Sequence, residues 1–512
     1  MIRTFYLTVI GLVSTMPVLA QTAAPAPPVR SHVERFSTPE VRAERAEAVE
    51  TTKLKANPDD AEALNARSLA RMRLGRYREA HEDLRRAVAL KPSNSNYRAN
   101  LGYVMWRLGQ AAEAIEAERA ALKLDEKNYT AHYQLGRFLL RTGDPKQLPE
   151  AVAHLRRSLE INPRQYDVRF ELVAVYRALG DAAQAIAQLE LLQDARPSDA
   201  RVTYVRALLA ADRNDMNAAI AGFQDTLRRE PTLYGAWQDL GLAYVRLNRW
   251  QEALETFAEL TKKQADSGDA AYFHALALFN TGRAAEAEKE ARRALRLNAG
   301  HATALTLLGI VLAARGDAND EASEALTQAV ALAPNSFDAT FFLGRVQYAM
   351  KDYAGAAKSL RAAVRLNPKH EEARFFLGTV LEAAGDSEAA LVEYQELIKT
   401  GSQSAMGQIG LGALLVKQGK TSEAVTALKR AITLDPKSFE AHWALGRALI
   451  LAEQFAEAIE NLQTAVTLAP DRPEAHYQLG LALKRLGRND EAAREFALVE
   501  RLNREFREGK QK

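Results

Sequence analysis

An alanine returns every 34 residues along most of this chain. The series runs Ala80, Ala114, Ala151, Ala185, Ala219, Ala253, Ala287, Ala322, Ala356, Ala390, Ala424, Ala458 and Ala492. Two steps are longer, 37 residues to Ala151 and 35 to Ala322. Pro92, Pro163, Pro197, Pro231, Pro334, Pro368, Pro436 and Pro470 each follow one of these alanines by twelve residues, and Pro58 is in phase with them. So short and regular a period means a stack of small units, each burying its apolar face only against its neighbours. A 512-residue chain can then avoid the several separate cores that its length would otherwise demand.

The pattern inside one unit predicts two helices. Residues 440–470 read EAHWALGRALILAEQFAEAIENLQTAVTLAP. Leu445, Gly446 and Leu449 share one helical face, and Ala458, Leu462 and Ala465 share another. The link between the helices holds Gly75, Gly109, Gly143, Gly180, Gly282, Gly316, Gly385, Gly419 or Gly487 in nine units. Glycine suits the left-handed residue that ends a helix. The late proline ends the second helix, because it has no N–H to continue the turn. Ser198-Asp199 and Asn335-Ser336 then supply caps for the next helix. Two helices on a short link lie antiparallel, and small residues let them cross closely. Gly102, Gly136, Gly241, Gly309, Gly344, Gly378, Gly412, Gly446 and Gly480 occupy that place on the first helix, and the repeating alanines occupy it on the second.

These features resemble the tetratricopeptide repeat (TPR) family, whose 34-residue unit reads W-x2-L-G-x2-Y…A-x3-F…P. The sixth unit matches with Trp237, Leu240, Gly241, Tyr244, Ala253 and Phe257, although Ala265 stands where the proline would be. The resemblance covers residues 61–504. It implies an all-α fold, an α-solenoid of about thirteen helix-turn-helix repeats wound into a right-handed superhelix. Departures are local. Val173 replaces the glycine of the fourth repeat, Arg206-Ala207 replaces Leu-Gly in the fifth, and the insertions at 144–149 and 317–320 are expected to lengthen inter-helix turns.

The ends read differently. Thr38-Pro39-Glu40 is a helix start, so residues 39–60 are expected to form an N-terminal capping helix, the second helix of a degenerate repeat. The array then spans 61–506, with a polar tail at 507–512. Residues 1–20 read as an export signal: Arg3, a short apolar stretch, Pro17, and Val18-Leu19-Ala20 before the cut. Residues 21–38 form an Ala/Pro-rich linker. The expected location is therefore periplasmic or secreted, with no transmembrane segment apart from the signal. There is no cysteine, which rules out disulfides, thiolate metal sites and a lipidated cysteine. Lys and Arg (68) nearly balance Asp and Glu (65), which leaves no basic footprint for nucleic acid.

No pattern suggests catalysis, a cofactor or a metal. His132, His442 and His476 recur at one repeat position, which points to packing or surface filling. His370-Glu371-Glu372 lacks a second histidine at zinc-protease spacing, and residues 407–412 (GQIGLG) fall inside a first helix. The resemblance implies instead a concave face lined by first helices. The position three before the glycine faces inward and carries Tyr133, Phe170, Tyr204, Tyr272, Phe341, Phe375, Trp443 and Tyr477. The residue after the glycine carries Arg137, Arg345 and Arg447. Rings beside guanidinium groups suit an extended protein segment, or alternatively envelope polysaccharide or peptidoglycan. The carboxylate clamp of chaperone-binding members is rejected: of its three positions, Asn65, Leu69 and Asn100, only the last matches. The expected function is a non-enzymatic scaffold or adaptor for protein partners.

Overall fold

The computed structural model describes residues 38–400 and 405–509, with side chains to Glu505, so the expected signal and nearly all of the linker lie outside the described residues. The described residues form twenty-seven α-helices in two compact units that divide after Lys263. The N-terminal unit holds α1 (Pro39–Ala56) and six hairpins: α2 (Ala61–Arg73) with α3 (Tyr77–Leu90), α4 (Ser95–Arg107) with α5 (Ala111–Leu124), α6 (Tyr129–Arg141) with α7 (Leu148–Ile161), α8 (Tyr166–Ala178) with α9 (Ala182–Ala195), α10 (Ala200–Asp212) with α11 (Met216–Arg229), and α12 (Tyr234–Arg246) with α13 (Trp250–Lys263). The C-terminal unit holds seven more: α14 (Gly268–Asn280) with α15 (Ala284–Leu297), α16 (Ala302–Arg315) with α17 (Asn319–Leu332), α18 (Phe337–Ala349) with α19 (Tyr353–Leu366), α20 (Glu371–Ala383) with α21 (Ser387–Thr400), α22 (Met406–Lys417) with α23 (Thr421–Leu434), α24 (Phe439–Leu451) with α25 (Phe455–Leu468), and α26 (Pro473–Arg485) with α27 (Asn489–Gly509). No helix among the described residues is long and apolar enough to cross a membrane.

Each hairpin closes on its small residues. Twelve of the thirteen repeating alanines are wholly buried and Ala492 nearly so. The glycine on the first helix meets the large side chain four residues beyond that alanine. A Cβ on Gly241 would stand 2.3 Å from the Phe257 ring, and one on Gly344 would stand 2.6 Å from Leu360 Cγ. The fifth repeat keeps this close approach by exchange. Ala207 takes the glycine place, and the second helix supplies Gly222, whose added Cβ would lie 2.7 Å from Ala207 Cβ. The fourth repeat does not compensate. Val173 is buried at the crossing, α8 and α9 pack less closely than other partners, and α9 stands away from α10. A cleft of about 280 Å³ opens there over Ile186, Leu189 and Leu209.

The links share one geometry. All nine expected glycines are left-handed, and the other four links place Asn214, Asn248, Lys351 and Glu453 at φ of 57–64°. At Gly487 the turn closes with Gly487 N–H on the Lys484 carbonyl (3.1 Å) and Arg488 N–H on that of Leu483 (3.0 Å), satisfying carbonyls that the helix end exposes. Caps form as expected at Asp199, which accepts from Arg201 N at 3.0 Å, and at Ser336, which accepts from Ala339 N at 3.3 Å.

The insertions behave differently from one another. Residues 144–149 do lengthen a turn, as a 3₁₀ turn at Pro145–Gln147 that Asp144 caps. The second insertion adds its residue after the left-handed glycine: Asp317 and Ala318 separate Gly316 from α17, where links without an insertion have one residue. α16 runs 14 residues, directly to Gly316, so the gap between the two helices stays at three residues. Helix α27 likewise continues to Gly509, into the stretch expected as a polar tail. At the other end α1 packs on α2 through Ala43 and Leu54 and through charge. Glu47 bonds Arg71 (2.9 Å) and Arg76 (2.8 Å), and Arg71 continues to buried Asp83 (2.8 Å), which Arg67 also grips (2.6 Å).

Neighbouring first helices pack on one another: α4 on α6 and α6 on α8 in the N-terminal unit, and α20 on α22, α22 on α24 and α24 on α26 in the C-terminal unit. The second helices stand further apart. Within each unit the first helices therefore form the inner wall.

Two substitutions test this packing. Ala356→Leu should overpack the α18/α19 crossing and cost about 1–3 kcal/mol, read from denaturant unfolding. Glu453→Gly should raise stability by about 0.5–1 kcal/mol, because a left-handed non-glycine residue carries strain of about 1–2 kcal/mol, partly offset by glycine's greater chain entropy.

Candidate binding surface

The wall places the eleven candidate residues unequally. Tyr204 and Tyr272 are 7% exposed and Phe341 2%. The expectation of an open aromatic stripe is corrected at these three positions, where the stacked hairpins close over the rings. Phe341 lies against Phe337 (5.6 Å between centroids) and His370 (5.5 Å), and its removal would empty a core and leave no groove changed. Tyr133 and Phe170 are partly buried against the N-terminal core, and Arg201 covers the Phe170 ring at 4.5 Å. Phe375 is partly buried beside Tyr394. Trp443 is partly buried, and Tyr477 is 46% exposed.

The arginines divide in the same way. Arg137 lies 3.2 Å and Arg141 3.5 Å from the Glu171 carboxylate, whose burial pushes its pKa up. Arg345 pairs with Glu372 at 3.5 Å and stands 5.6–5.7 Å from the rings of Phe341, Phe342 and Phe376. Both expected contact arginines are thus engaged within the wall. Arg447 is exposed, with its guanidinium 4.9 Å over Trp443. Of the eleven, only Arg447 on α24, over partly buried Trp443, and Tyr477 on α26 are exposed.

Several of the wall's polar groups bond sideways to the next first helix. Asn100 donates to Asn65 (2.8 Å), Arg201 pairs with Asp167 (2.8 Å), Arg177 with Asp212 (2.5 Å), and Lys417 with Glu382 (2.5 Å). Tyr204 donates its hydroxyl to Asp239 at 2.5 Å. Burial drives the Asp239 carboxyl up to about 6, while the Tyr204 hydroxyl, Arg177 and Arg246 act against the rise. Among the described residues, no group of three or more His, Asp and Glu is placed to hold a metal ion.

Sequence comparison fits this geometry. Models described as tetratricopeptide repeat match residues 42–95, 65–129, 106–166, 145–209, 239–302, 274–337, 306–370, 343–405 and 473–506, and a TPR repeat model matches 412–451 and 446–487. The chain belongs to the tetratricopeptide repeat family. No curated protein matches in sequence. Among solved structures, the TPR chain is similar to one titled as the APC/C hetero-tetramer Cut9-Hcn1, at 14% identity and TM-score 0.48, covering 92% of this chain and 95% of that one. It is also similar to yeast Tom70, at 16% identity and TM-score 0.41, covering 86% and 92%.

Within the TPR hairpin the three recurring histidines form a stitch that sequence reading missed. His132 Nε2 bonds the Glu126 carbonyl (3.0 Å), His442 Nε2 that of Pro436 (3.2 Å), and His476 Nε2 that of Pro470 (3.0 Å). Nδ1 of each ring reaches the second helix, at His154 (2.8 Å), Asn461 (3.1 Å) and Glu495 (2.6 Å). Arg169–Gln188 (3.0 Å) and Arg374–Glu393 (2.8 Å) repeat the stitch. The pairs are 19 residues apart, or 22 across the three-residue insertion, and the sideways pairs are 34 or 35 apart. Those two spacings are the sequence signal that would have found them.

The Tyr204–Asp239 bond gives a pH test. Asp239 rises from 3.8 to about 6 on folding, so its contribution is fully present below 3.8 and is lost as pH rises through 6. Tyr204→Phe removes the donor that an ionised Asp239 uses. It should destabilise by about 1–3 kcal/mol, and by more at pH 8 than at pH 5, in urea unfolding.

Proposed function

We propose that this TPR protein is a non-enzymatic scaffold that holds an extended protein segment against the first helices of its C-terminal unit. The observation that carries the reading is the accessibility of Tyr477 and Arg447 beside Trp443, where the equivalent rings and guanidinium groups elsewhere are mostly buried or paired. Interface contact energy concentrates in such aromatic and arginine side chains. Two rings and one cation on adjacent first helices would hold an extended segment by stacking and by hydrogen bonds from the guanidinium. Family membership supports the same reading. Residues 1–20 support export to the periplasm or beyond the cell as part of it.

The test is capture of partners from the native source by the full chain and by a Trp443→Ala, Tyr477→Ala variant. A protein partner should be recovered, and the double substitution should weaken it at least about tenfold, or about 1.4 kcal/mol, while circular dichroism stays unchanged. Undiminished capture would move the contact away from this wall. Binding of the purified chain to cellulose, alginate or peptidoglycan, with no protein partner, would replace the protein ligand by a glycan.

A further inference from the structure

Four residues after the repeating alanine, twelve of the thirteen second helices place an apolar or aromatic side chain, such as Leu84, Leu155, Phe223 or Tyr394. The second repeat places Glu118 there. Its side chain is 0% exposed, and neither carboxyl oxygen has a hydrogen-bond partner. The carboxyl lies in the α4/α5 crossing, where a Cβ on Gly102 would meet Oε1 at 2.6 Å.

The place is one residue out of register with a partner. Arg98 holds the α4 position that other repeats stitch to the residue 19 further on, as Arg374 is stitched to Glu393 at 2.8 Å. For Arg98 that residue is Ala117, and its buried Nε has no acceptor. Moving one residue along a helix turns a side chain by about 100°. Glu118 is therefore turned into the seam and away from Arg98.

We propose that Glu118 makes the α4/α5 hairpin a pH-operated joint of the N-terminal unit, closed while the carboxyl is neutral and opened by its ionisation. Arginines and histidines on the helices around the seam are committed elsewhere. On α4, Arg98 reaches the Pro92 carbonyl and Arg107 lies over Tyr77 and bonds Tyr103. On α5, Arg119 pairs with Glu116 and Glu150. On α6, His132 pairs with His154, and Arg137 and Arg141 pair with Glu171, which also lies near the Tyr133 hydroxyl. Burial alone holds Glu118 well above its ordinary 4.5, with no charge to counter it. The sign follows. With the folded value raised, stability is fully present below 4.5 and is lost as pH rises toward the folded value. Each repeat leans only on its neighbours, so the opening stays local.

Hydrogen exchange of the full chain between pH 5 and 8, corrected for intrinsic exchange, reads this directly. Protection of α4 and α5 should fall as pH rises, approaching about tenfold per pH unit for one proton, while α24 and α25 stay level. Glu118→Leu restores the residue type that other repeats carry, and it should abolish the slope. Glu118→Gln keeps a polar group without the titration and should abolish it too. A slope that survives in either variant, a flat wild-type profile, or an equal slope in α24 and α25 would overturn the proposal.

Discussion

The fold depends on one contact, the crossing at which a first-helix glycine lies against the large side chain of its second helix. That distance leaves no room for a Cβ at Gly241 or Gly344. Each hairpin closed in this way packs its second helix on the first helix of the next. The exception shows the dependence. Where Val173 holds the crossing apart, α9 stands away from α10 and a cleft opens. Where Ala207 intrudes, Gly222 on the opposite helix restores the approach.

Polar pairs are laid over that apolar frame in two directions. Those 19 residues apart tie the two helices of one hairpin, and those 34 or 35 apart tie one first helix to the next. A buried polar group without such a partner costs more than the pair gains, so the pairs fix the register of an otherwise uniform stack. They also occupy the wall, and this is why Arg137 and Arg345 cannot serve a ligand as their position alone suggested.

The repeat, its thirteen copies, the seam alanines and nine left-handed links could all be read in the sequence, because a period exposes whatever every copy needs. The site could be read only in part. Tyr204, Tyr272, Phe341 and Tyr477 share one repeat position, yet the first three are buried and the last is open. Depth depends on how the next hairpin covers a ring, which no single repeat records. Arg137 and Arg447 also share a position. They differ in what the next first helix carries two residues before its glycine position, Glu171 in one case and Gln478 in the other. Glu118 departs from its column of apolar residues, a signal that the sequence itself carries.

The sideways pair between Lys417 and Glu382 also bears on how such an array changes length. A loss of the 34 residues between the left-handed links at Gly385 and Gly419 would join like to like, so the backbone would accept it. Removing α21 and α22 in this way would nevertheless take away Lys417 and leave the Glu382 carboxylate, only 7% exposed, facing a different first helix. Growth and shrinkage of this solenoid are therefore limited by its side chains, repeat by repeat, even where its backbone is interchangeable.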